Sequence, residues 1–135
     1  MVMALLSVAN PLAAQEDQTF KIEAAADIAA AWLVLIDDGA YDESWDVASS
    51  VVQGAMHKDE WGPTMRQARA PYDPISNREL VQSQFMTSVP NMPDGEYVRL
   101  TFTTDTASGK VNEIVALIYE GGGWSVMGYF LRPQP

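Results

Sequence analysis

The side chains able to do chemistry are few and scattered along the chain. Asp37, Asp38 and Asp46 are the plausible general bases of the helical half, and a base must sit in a desolvated pocket to lift its pKa toward neutrality. An isomerase would also want phenolic donors facing that base, and Tyr97, Tyr119 and Tyr129 are the candidates. Arg69 stands just before Ala70-Pro71 at the end of a helical segment. Its guanidinium can grip a ligand carboxylate through two parallel hydrogen bonds, or tie that segment to Asp37, Asp38 or Asp46; in so acidic a chain the structural use is favoured. Arg69, Asp46, Trp45, Tyr119 and Tyr129 form the candidate ligand-binding set. No residue is assigned a catalytic or metal-binding role, and no cofactor is expected.

Other reactive arrangements fail on chemistry. There is no cysteine, so thiolate nucleophiles, disulfides and cysteine-ligated metals are excluded. His57 is the single histidine and lacks partners for zinc; it is expected to start or cap a helix. Gly121-Gly122-Gly123 joins two expected strands, whereas phosphate-binding glycine loops join a strand to a helix. Ser49 and Ser50 have neither a nucleophile elbow nor a histidine base. Trp45, Trp61 and Trp124 read as core anchors before they read as a ligand platform.

The elements that must position these residues follow from periodicity. Ile22, Ala25, Ala29, Leu33 and Ile36 recur at helical spacing, with Ile28, Trp32 and Leu35 as an adjoining stripe, so the first helix should be covered on more than one side. Gly39 is its natural left-handed cap, while Asp37 and Asp38 lie at the negative end of the helix dipole, a small local conflict. A short second helix follows with Trp45 buried and Trp45, Ala48 and Ser49 facing inward. A third runs from His57 to Arg69 on Trp61, Met65 and Ala68, and Gly62-Pro63 should bend it or restart it at Pro63. After Ser76 the period becomes two. Glu79 to Met86, Glu96 to Thr104, Lys110 to Glu120 and Trp124 to Leu131 read as strands, joined by connections too short for parallel crossovers. The expected fold is α+β, with N-terminal helices packed on one face of a curved four-stranded antiparallel meander.

Composition narrows the partners. Eighteen acidic against eight basic residues give a net charge of −10. Eleven of the acids precede Trp61, where only Lys21 and Lys58 oppose them. Such a surface repels nucleic acids and anionic lipids, so a cationic or neutral partner fits better.

Residues 1–14 are uncharged and apolar, and end in a proline and two alanines before Gln15-Glu16-Asp17. They resemble the back of a secretory signal peptide lacking its basic n-region, with cleavage after Ala14, and are shorter than the about twenty apolar residues of a membrane span. The alternative is an amphipathic arm packed on the domain. Residues 15–21 then form a flexible lead-in, and 22–135 a single domain of a size that folds without covalent help.

Several segments together resemble one bacterial family, domain of unknown function 4019. They are AAAWLVLIDDGAYDESWDVAS, the run Trp61 to Pro71, Pro93 to Val98 and Gly122 to Tyr129, and the resemblance extends from Ile22 to Arg132. It implies a compact relative of the cone-shaped fold named for nuclear transport factor two (NTF2-like, cystatin-like), and small exported proteins. It also implies an arginine before a proline where Arg69 precedes Ala70-Pro71, and helix formers where this chain has Gly62-Pro63. It implies no activity. The expectation is a periplasmic or secreted, non-enzymatic module for a small ligand or another envelope protein. The rivals are a cone-fold isomerase or dehydratase with an aspartate base, and a homodimerising interaction scaffold.

Overall fold

The computed structural model describes residues 10–134. Four helices, α1 (Pro11–Asp37), α2 (Tyr41–Asp46), α3 (Ser50–Ala55) and α4 (Lys58–Arg69), precede four strands, β1 (Ser76–Met86), β2 (Tyr97–Thr106), β3 (Gly109–Glu120) and β4 (Gly123–Pro133). The strands pair antiparallel in the order β1-β2-β3-β4, an open meander, so the α+β arrangement expected from the sequence is the one observed.

α1 begins eleven residues before Ile22 because local chemistry starts it there. Pro11 occupies the first turn, and the Asn10 side chain accepts a hydrogen bond from the Leu12 amide at 3.1 Å. Residues 11–20 are nonetheless all exposed, so this part of α1 is neither a packed arm nor part of the core. The first nine residues of the expected signal segment lie outside the described residues. Packing begins where the alanine stripe begins: Ala25, Ala29, Trp32, Leu33 and Ile36 are buried, whereas Ile28 is 42 % exposed. Gly39, at φ +74°, reverses the chain, and the Gly39 and Ala40 amides donate to Ile36 and Leu35 carbonyls.

The expected second helix is two. Its first part ends at Asp46, and Ser49, which periodicity placed on an inward helical face, is instead the N-cap of α3: its hydroxyl accepts from the Val52 amide at 3.4 Å. The Ser49 amide meanwhile donates to Val126 on β4 at 2.9 Å, which fastens this corner to the sheet. Trp45 is only half-buried; Ser44 takes the buried place in α2 and receives two indoles, Trp61 Nε1 on its hydroxyl and Trp32 Nε1 on its carbonyl.

α4 runs unbroken through Pro63. The proline forfeits one backbone hydrogen bond, but Trp61, Gly62, Met65 and Arg69 are buried, and tertiary burial outweighs a single lost bond. The inward positions step by four, to Arg69 rather than Ala68, which is exposed.

The helices cover one face of the sheet. Val98, Leu100 and Phe102 of β2, Val115 and Leu117 of β3, and Trp124 and Val126 of β4 meet Ala25, Ala29, Leu33 and Ile36 of α1 in one core. β3 and β4 are joined by Gly121-Gly122, both at positive φ (61° and 83°), the signature of a two-residue type I′ hairpin. Between Val126 and Gly128 the β3–β4 register shifts: Leu117 faces Val126 but Ala116 faces Gly128. This bulge reverses which side chains of β4 face the helices, so Tyr129, not Phe130, points to the inner face.

Candidate functional site

The inner face of the sheet carries a chain of charged groups at the end where α1, α4 and β1 converge. Arg69 is held there by α4, with only 2 % of its surface exposed. Its Nη2 lies 2.8 Å from Asp73 Oδ1 and 3.0 Å from Asp37 Oδ1, and Nε donates to Asp73 at 3.1 Å. Arg78, from the start of β1, makes two bidentate grips. Nη1 and Nη2 donate to the two Asp37 oxygens at 2.9 and 3.0 Å, while Nε and Nη2 donate to Glu113 at 2.6 and 3.1 Å. Glu113 is fully buried and also accepts from the Thr104 hydroxyl at 3.0 Å and from the Tyr129 hydroxyl. Trp32 meets the Tyr129 ring edge-on at 5.4 Å. Among the described residues, Arg69 Nη1 is the one buried side-chain polar atom without a hydrogen-bond partner.

The electrostatics favour closure over reactivity. Partial burial pushes the Asp37 carboxyl up, but Arg78 and then Arg69 reverse this and hold it below the usual carboxylate range. Desolvation, reinforced by the neighbouring Glu113 carboxylate, raises the Tyr129 phenol far above its ordinary value. Burial alone would lower the Arg78 guanidinium; the hydrogen bonds it donates to Asp37 and Glu113 raise it instead. The conflict of Asp37 with the α1 dipole is thus answered by two guanidiniums. A general base needs the opposite shift from that of Asp37, and Asp37, Asp38 and Asp46 all lie at the surface rather than in a desolvated pocket.

The sequence-derived candidates fall in three places. Arg69 and Tyr129 join in the inner network. Asp46 is exposed and pairs with Lys58 at 2.9 Å, beside the half-buried Trp45, whose indole donates to the Met56 carbonyl at 3.0 Å. Tyr119 is 46 % exposed on β3, edge-on to Trp124 at 5.3 Å. Tyr97 points its hydroxyl at the Pro93 carbonyl at 2.5 Å, in line with a structural role. His57 takes the N-cap position of α4 without a side-chain capping bond.

Two network members escaped the sequence reading. Glu113 was legible in principle, as the lone acid among the inward positions Val111, Val115 and Leu117 of β3. Arg78 was not, because irregular pairing between Ser76 and Glu79 sets its direction.

A groove lies between the first half of α1 and the β3–β4 hairpin, with a volume of ≈ 590 Å³. Phe20 (70 % exposed), Tyr119, Trp124 and Ile28 supply its apolar lining. Asp17, Asp27 and Glu96 oppose Lys21 at its rim, and Lys21 bridges Glu96 at 2.7 Å and Asp17 at 3.1 Å. A second depression of ≈ 410 Å³ along α1 shares Ile28 and Trp124 with the first and continues it to Leu35 and Val47. Among the described residues no group of three His, Cys, Asp or Glu side chains could hold a metal ion, and no helix is long and apolar enough to cross a membrane.

The family described as protein of unknown function (DUF4019) matches residues 28–129, from the middle of α1 to Tyr129 in β4, and the chain belongs to it. No curated protein matches the chain.

Proposed function

We propose that this member of the DUF4019 family is an exported, non-enzymatic binding module that holds a small molecule, or a segment of another envelope protein, in the groove along α1. The observation that carries this reading is the groove's makeup. Exposed Phe20 and Tyr119 stand beside Trp124 in a concavity of the size small ligands fill, while the interior charges are closed on one another. Three carboxylates against one lysine on the rim suit a cationic or neutral occupant. The open α+β meander is compatible with the cone fold that the family resemblance implies.

Export to the periplasm or beyond agrees with the same geometry. Residues 11–20 bury nothing in the core, so cleavage after Ala14 leaves the packed part of α1 intact. Native mass spectrometry of protein purified from its own envelope tests the binding reading. A bound small molecule or partner is expected, and the Tyr119→Ala protein should lose it while retaining its melting temperature. Apo protein throughout contradicts the reading. Amino-terminal sequencing of the same material tests export: a chain starting at Gln15 supports it, and an uncleaved chain in the cytoplasmic fraction refutes it.

A further inference from the structure

The outer face of the sheet holds two arginines, Arg99 and Arg132, that pair with no carboxylate among the described residues. Of the eight basic residues, Lys21, Lys58, Arg69, Arg78 and Lys110 pair with carboxylates, and Arg66 lies over the Tyr41 ring at 5.4 Å. Arg99 and Arg132 have no carboxylate within reach among the described residues, although the chain has eighteen acids. Both line one depression of ≈ 360 Å³ on the face turned away from the helices.

Register explains the convergence. Arg99 lies in the cross-strand row Arg99–Ala116–Gly128 and Arg132 in the row that pairs it with Asn112; Ile114 and Phe130 pair in the row between. The arginines therefore stand at diagonal corners of an apolar floor made by Ile114, Met127 and Phe130, with Met86 beside it. The floor is shaped by the β4 bulge. That irregularity sends Phe130 to the outer face, where it remains 49 % exposed, and its ring folds so closely over Gly128 that a Cβ there would come within 3.1 Å of it. A valine or leucine at position 128 would displace the ring.

We propose that this depression is a second site, independent of the α1 groove, that binds a small amphipathic carboxylate: an apolar body on the Ile114–Phe130 floor and an acidic head on Arg99 or Arg132. Guanidinium is the side chain best matched to a carboxylate, and these two carry no competing carboxylate among the described residues.

The test is a titration of the ¹⁵N-labelled full chain with dodecanoate below its micelle-forming concentration, with dodecanol and dodecyltrimethylammonium as matched controls. Dodecanoate should shift the amides of Ile114, Met127 and Phe130 and leave Phe20 and Tyr119 in place. Whichever of Arg99→Gln and Arg132→Gln removes the arginine that holds the head should weaken it about tenfold, the size of one charge-assisted hydrogen bond, at unchanged melting temperature. Equal binding of dodecanol, binding confined to the α1 groove, or unaltered affinity in both variants overturns the proposal. So does sedimentation showing a dimer that buries this face and falls apart in the variants.

Discussion

Arg69 and Arg78 on the inner face of the sheet, and Arg99 and Arg132 on the outer face, are the same side chain in opposite circumstances. The inner pair is met by Asp37, Asp73 and Glu113 through short, partly bidentate contacts; the outer pair meets no acid among the described residues. A guanidinium taken out of water must be compensated within the fold, so the inner pair had to recruit carboxylates from α1, β3 and the segment after α4. A guanidinium left in water is under no such demand. Paired charges inside therefore report on how helices are fastened to strands, and unpaired ones outside report on what the surface can still hold.

That contrast breaks most visibly at Arg78. Replacing it with alanine strands Glu113 in the core and loosens Asp37, and should cost about 3 kcal/mol in urea unfolding, the lower end for a broken buried pair since Arg78 is partly exposed. A loss no greater than that of Arg99→Gln would erase the distinction between the two faces. Tyr129→Phe removes one donor from the buried carboxylate and should cost about 1–2 kcal/mol near neutral pH. It should also change the alkaline limb of stability. The folded phenol is raised above its unfolded value, so its contribution is complete below about pH 10 and declines as pH rises further. Melting temperatures between pH 9 and 11 should therefore fall less steeply in the phenylalanine protein.

Asp37→Asn is expected to have the smallest effect, about 1 kcal/mol, because the carboxylate is one-third exposed and Arg69 keeps Asp73. Here the sign runs the other way. A depressed folded pKa gives stability that is present above about pH 4 and lost as pH falls through it, so the asparagine protein should show a shallower acid limb in thermal unfolding.

Much of this architecture could be read from residue order. The four strands announce themselves by alternation, because a half-buried sheet forces period two, and each predicted strand lies within an observed one apart from Glu96. Gly39 and the glycine hairpin were legible because positive φ favours glycine. The first turns of α1 were not, since they carry no buried stripe and rest on the Asn10–Pro11 start alone. The split into α2 and α3 was hidden because Ser49 satisfies a helical period while acting as a cap. The site was the least legible part. Arg69 pairs with Asp37, one of the three aspartates its position offered, and with Asp73, which was not among them; Arg78 and Glu113 depend on sheet irregularities and on which carboxylate happens to lie opposite, and neither leaves a periodic trace.

The central claim is that the buried acid on β3 is there to hold the fold together. Carboxylates kept for reactivity or ligand binding commonly strain a protein, so that neutralising them stabilises it, whereas one kept for architecture is missed when its charge is removed. The unfolding free energy of Glu113→Gln in urea at pH 7 separates the two. A loss of about 2 kcal/mol, from weakened hydrogen bonds to Arg78, Tyr129 and Thr104, is the result expected here. An unchanged or higher stability would contradict it and would point to a function for the interior.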